Sequence, residues 1–180
     1  MITRKHSMLS AVAAAAPLLL ALPMAVSADE GAERVSAHLV GFQETPLTLS
    51  SPGSGMFRAK IAENDLSFEW VLTFSGLTTP VQQAHIHFGA RAITGGISIF
   101  LCSNLGNGPP GTQPCPAAGG TVSGTAKATD VIGPAAQGIS PGEFAKILDA
   151  IRSGFAYANV HTTRFPGGEI RGQIRSNDDH

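Results

Sequence analysis

Asp65-Leu-Ser-Phe-Glu-Trp-Val-Leu-Thr-Phe74 decides the fold class. Leu66, Phe68, Trp70, Leu72 and Phe74 fall on one side of an extended chain; Ser67, Glu69 and Thr73 fall on the other. Successive side chains of a strand point to opposite faces, so this period of two predicts a half-buried strand. Glu63-Asn64-Asp65 just before it predicts a tight turn, because Asn and Asp readily bond their own backbone. The turn joins this strand to one over Gly53 to Ile61, and Val35 to Val40 alternates in the same way.

Further strands are expected over Val81 to Phe88, Gly96 to Leu101 and Thr121 to Ala128. Phe155 to Thr162 and Glu169 to Arg175 make a last pair, joined by Arg164-Phe-Pro-Gly-Gly168. In the final strand Ile170, Gly172 and Ile174 share one face, and Glu169, Arg171, Gln173 and Arg175 the other. One helix interrupts the series. Ser140-Pro141-Gly142-Glu143 reads as a capping box with Pro141 at the first helical position. Phe144, Ile147, Leu148 and Ile151 then recur at helical spacing, and Gly154 supplies the stop. The pattern predicts a mostly β protein: an antiparallel Greek-key β-sandwich or flattened barrel with one short crossover helix at about 140–153.

The N-terminus carries Arg4 and Lys5, then an apolar run rich in Ala and Leu that ends in Val26-Ser27-Ala28. Residues 1–28 read as a cleavable signal peptide. The run is also near the length of a membrane anchor, but Pro17 and Pro23 interrupt it. Residues 29–32 follow as a short linker, 33–175 as one β domain and 176–180 as a disordered tail. No later run could span a membrane. Without Arg4 and Lys5 the chain keeps ten Lys and Arg against thirteen Asp and Glu. That balance, with no basic stripe, excludes nucleic acid as the expected partner. Export makes Cys102 and Cys115 a disulfide closing a Gly/Pro-rich loop, with paired metal ligands as the other reading. Closing a loop of that span is worth roughly 3 kcal/mol at most.

His85 and His87, in Ala84-His-Ile-His-Phe-Gly89, stand two apart on a strand and project together. Ala84, Ile86 and Phe88 then face the core. His161 lies on a late strand, and in such a fold strands distant in sequence become neighbours. Three imidazoles would suit Cu(II), and also Zn(II). The bland alternative is that these histidines hydrogen-bond loops and lock the fold. His38 is expected to face solvent, with a role as an extra ligand also open; His180 stands in the tail.

Four blocks together resemble a known family: Leu39-Val-Gly-Phe-Gln-Glu-Thr-Pro46, Ala84 to Gly89, Ile151-Arg-Ser-Gly-Phe-Ala-Tyr-Ala-Asn-Val-His-Thr162 and Pro166-Gly-Gly-Glu-Ile-Arg-Gly-Gln173. They occur in the order of the CHRD domain, named after chordin, and the chain is similar to its single-copy secreted bacterial forms. Thr45 departs from the apolar residue more usual there. The resemblance implies an extracellular β-sandwich. A weaker likeness, to the copper half of copper/zinc superoxide dismutase, implies His85, His87 and His161 as copper ligands. A bridging histidine and a zinc cluster are missing from it, and Arg91 and Arg171 are the candidates for a guiding arginine.

Three functions follow as expectations. The first is a non-enzymatic copper-binding protein, with zinc as the other metal and Asn159, Glu169 and Arg171 orienting the ligand rings. Its affinity is expected to fall below about pH 6, where free imidazole gains a proton. The second is an extracellular protein- or matrix-binding module with structural histidines. The third is a dismutase-like redox enzyme.

Overall fold

The computed structural model describes Met1 and residues 32–176. The expected signal peptide, linker residues 29–31 and tail residues 177–180 lie outside the described residues. The strands are β1 (Arg34–Val40), β2 (Ser54–Ile61), β3 (Ser67–Ser75), β4 (Val81–Phe88), β5 (Gly96–Ser103), β6 (Gly120–Lys127), β7 (Ala156–Thr162), β8 (Ile170–Gln173) and β9 (Arg175–Ser176). The helix α1 (Phe144–Arg152) lies between β6 and β7. Among the described residues no helix is long and apolar enough to cross a membrane.

All pairings are antiparallel, in the order β5-β4-β7-β8-β1-β2-β3-β6, with β9 added to β1. The two ends of this path, β5 and β6, lie against each other and nearly close a barrel. The connection between them stitches the seam. Cys102 and Cys115 form a disulfide, and Gln113 Nε2 donates to the carbonyls of Leu101 on β5 and Ser123 on β6. Of the two expected architectures, the flattened barrel is therefore the one that forms.

The interior is apolar. Phe57, Phe68, Leu72, Phe74, Ile86, Ile99, Leu101, Val160 and Ile170 are all buried in it. Helix α1 caps it, with Phe144, Ile147, Leu148 and Ile151 turned inward and Phe144 stacked 5.6 Å from Phe68.

Three local expectations need correction. Leu66 is 68% exposed rather than part of the buried stripe. It sits in the turn before β3, where its N–H binds the Asn64 side chain and Asp65 takes φ 56°. The helix starts at Phe144, not at Pro141. Pro141 and Gly142 occupy a turn closed by Glu143 N–H on Ser140 O, and Gly142, at φ 86°, supplies the left-handed residue that such a turn needs. Only half the expected box forms: Glu143 accepts from Ser140 N at 2.7 Å. Ser176, assigned to the tail by sequence, pairs with Val35.

Candidate metal centre

Strand β4 sits between β5 and β7, and its two faces differ. Ala84 and Ile86 enter the apolar interior, with Phe88 packed at its margin. His85 and His87 point the other way, as alternation requires, yet they are 0% and 6% exposed. The outer face here is covered. Register pairs His85 with Asn159 and His87 with Tyr157 on β7, and Asn159 with Arg171 on β8. Against β5 the register shifts just before each histidine, between Ala84 and His85 and between Ile86 and His87. Such bulges re-aim side chains.

His161, on the same face of β7, completes the group. One ring nitrogen from each of His85, His87 and His161 lies within 4.8 Å of the others. His161 Nδ1 is 3.0 Å from Pro166 O and His87 Nδ1 is 3.0 Å from Gly95 O. A carbonyl only accepts, so both Nδ1 atoms carry hydrogen and both Nε2 atoms present a lone pair. His85 Nδ1 lies 3.2 Å from His161 Nε2 and therefore donates to it. That leaves His85 Nε2 and His87 Nε2 buried without a hydrogen-bond partner. Two nitrogens about 3.3 Å apart can share a tetrahedral ion with bonds of about 2.0–2.1 Å. Spacings of up to 4.8 Å have to contract, and an ion on His161 Nε2 has to replace the His85 hydrogen bond.

Burial, then the neighbouring histidines, pushes His85 down to about 2. Burial chiefly holds His87 down at about 3, and lowers His161 against the pull of the Pro166 carbonyl. All three rings are neutral and ready to donate at physiological pH. In the metal-free chain a proton therefore competes for these nitrogens less than it does for a free imidazole.

The flanking residues are only partly those expected. Asn159, beside His85 across the strands, sends its hydrogen bonds elsewhere: its Nδ2 donates to Glu44 Oε1 at 2.6 Å and to Ile170 O. Glu169 lies elsewhere, accepting from Ser51, Thr78 and Thr162. Burial opposes its charge, and those hydrogen bonds together outweigh burial and hold its carboxyl below the usual value. Arg171 reaches the centre through an aromatic ring. Its guanidinium lies 3.5 Å over Tyr157, which stacks on His87 at 4.8 Å and 4°. It also donates to Thr45 Oγ1, Ala90 O and Ile93 O, so it ties together the covering loops. His38 is exposed on β1 and does not join the group.

Sequence reasoning passed over four contributors. Tyr157 accepts from Gly95 N at 3.0 Å and fixes the loop whose carbonyl orients His87. Its place four residues before His161 put it on the same face of the strand, a signal available in the sequence. Phe100 packs its ring edge-on to His85 at 4.4 Å. Glu44 is buried, which raises it to about 7 against the opposing hydrogen bond from Asn159. Gly168, at φ 127°, passes so close that a Cβ there would sit 2.7 Å from Glu44 Oε2 and Asn159 Nδ2.

A family model for the CHRD domain matches residues 35–174. No curated protein and no solved structure matches the chain.

Proposed function

The chain belongs to the CHRD domain family, and from that footing we propose that it is an exported protein binding one copper ion through His85, His87 and His161. The observation that carries the reading is the pair of orphaned nitrogens, His85 Nε2 and His87 Nε2, buried beside His161. Buried polar atoms nearly always find partners, and a cluster of bare lone pairs is what a cation would satisfy. Zinc is the other metal that such a ligand set suits.

Storage, delivery or buffering outside the cytoplasm fits better than turnover. An enzyme of dismutase type needs an open coordination position and a route for substrate, whereas these rings are almost wholly buried. The extracellular character of the family and the Cys102–Cys115 disulfide support export.

The test is metal content and copper titration of untagged protein from an oxidising compartment. One equivalent should bind to the parent chain and none to the H85A/H87A/H161A variant. Equal binding by both sinks the reading.

One observation favours the second reading, a protein-binding module. Phe42, Leu47 and Ile93 are 70%, 72% and 55% exposed on covering loops that a Thr45–Thr94 hydrogen bond joins. Under that reading the histidine substitutions lower the melting temperature equally with and without copper.

A further inference from the structure

We propose that the centre is selective for the monovalent ion: it holds copper(I) in preference to copper(II) or zinc(II). This rests on the metal-binding reading above and adds the charge and coordination number of the bound ion.

The first argument is charge. All three ligands are neutral imidazoles, and among the described residues no carboxylate joins the group. Neither cysteine is free to supply a thiolate. The cost of moving an ion from water into a low-dielectric interior grows as the square of its charge, so a divalent ion loses about four times as much as a monovalent one. Coordination by the rings offsets part of that cost for either ion, and a counter-charge inside the site would offset more of it for a divalent one.

The charge beside the site has the wrong sign for a divalent ion. Arg171 lies face-on to Tyr157, and Tyr157 lies face-on to His87. A guanidinium keeps its proton in proteins. The stack therefore places a fixed positive charge behind a ligand ring. The nearby acids do not cancel it. Glu169 keeps its charge, but it binds Ser51, Thr78 and Thr162 and stands outside the histidine group. Glu44 gives Oε1 to Asn159, and its raised pKa leaves it a partial counter-charge at neutral pH.

The third argument is coordination number. Structural zinc is nearly always four-coordinate, and catalytic zinc completes three protein ligands with water. Copper(I) is stable with three ligands and has no strong geometric demand. Phe100 at 4.4 Å and Tyr157 at 4.8 Å crowd the histidine rings with apolar surface, which favours a small, dry, three-coordinate site.

The experiment is anaerobic competition of the metal-free full chain against chromophoric chelators, run separately with copper(I), copper(II) and zinc(II). Copper(I) should bind one per chain and exceed zinc(II) by about a hundredfold in affinity, as expected when a cation faces the site at low dielectric. The extended X-ray absorption fine structure of the copper(I) form should show three nitrogen scatterers. Arg171→Gln should narrow the preference by about tenfold, and Arg171→Lys, which keeps the charge, should hold it. Equal or tighter binding of a divalent ion overturns the proposal, as does an unchanged ratio in Arg171→Gln. Should the variants fail to fold, the parent competition decides alone. A chain that binds none of the three ions sinks the metal reading itself, a different outcome from a divalent preference.

Discussion

Strands β3 and β7 belong to one sheet, and they differ in what covers their second face. On β3 burial alternates: Phe68, Trp70, Leu72 and Phe74 are interior, while Glu69, Val71 and Thr73 meet water. On β7 all seven residues are buried. Ala156, Ala158 and Val160 enter the apolar core, whereas Tyr157, Asn159 and His161 enter a second, polar layer under the loops. A wet face costs the fold almost nothing, because water satisfies it. A covered polar face has to satisfy itself, and its members become costly to change. The unpartnered buried atoms include His85 Nε2, His87 Nε2 and Gln173 Oε1, all in that layer. A candidate site therefore emerges from the covered half.

The sharpest way to break this comparison uses two glutamates. Glu69 is exposed on β3, while Glu169, just before β8, is fully buried and accepts four hydrogen bonds from Ser51, Thr78 and Thr162. Glu169→Ala strands those donors and should cost about 3–5 kcal/mol. Glu69→Ala should stay within about 0.5 kcal/mol. Urea unfolding of both variants measures the gap, and similar midpoints would erase the distinction between the two halves.

Acid provides the next test. The unfolded chain protonates its histidines below pH 6.5, while folded His85 and His87 resist to about 2 and 3, so their contribution is complete above 6.5 and drains as pH falls. Glu44 runs the opposite way. Its folded pKa of about 7 keeps a proton that the unfolded chain has lost above 4.5, so its contribution drains as pH rises through that window. Two histidines against one glutamate leave a net loss of stability on going down from pH 6.5, on the order of 1 kcal/mol per pH unit, and His161, also lowered, adds to it. Metal-free protein should thus show a falling urea midpoint between pH 6.5 and 5. A flat profile would mean that the layer is wet.

These tests also mark what could be read from the residues alone. The alternation of β3 announces itself because one face is polar and solvated. The His85–His87 pair was legible from the same period of two, and His161 from its place on a late strand. The cover was not. Burial of that face depends on loops whose irregular paths carry no period, and on Arg171, which joins three of their atoms. Asn159 and Glu169, expected to orient the rings, make their hydrogen bonds elsewhere. Both are buried polar groups, but their partners are loop and strand-end residues rather than imidazoles. Tyr157 and Glu44 were missed because a tyrosine or glutamate gains meaning only from what closes over it.

A smaller effect tests the covering loops themselves. Tyr157→Phe keeps the stack on His87 but removes the hydroxyl that accepts from Gly95 N. The expected cost is about 1 kcal/mol, the worth of one partly buried hydrogen bond. Amide exchange at Gly95 should quicken in the same variant. Unchanged exchange would show that the loop is held without Tyr157.

The smallest expected effect separates sequence pattern from structure on β3 itself. By periodicity Leu66 begins the buried stripe, and replacing it with Ser would then cost the 2 kcal/mol or more of a lost core leucine. In the fold it occupies the turn, 68% exposed, with its N–H held by Asn64 Oδ1. Leu66→Ser keeps that backbone bond and removes only surface that water already reaches, so stability should change by no more than about 0.5 kcal/mol. Leu72→Ala on the same strand, at 0% exposure, should cost about 2–5 kcal/mol. A loss at Leu66 approaching that at Leu72 would place the turn inside the barrel and extend the buried stripe by one residue. A near-zero loss sets the end of β3 by its turn chemistry, where the Asx bond of Asn64 and the left-handed Asp65 override an apolar side chain that merely continues the period.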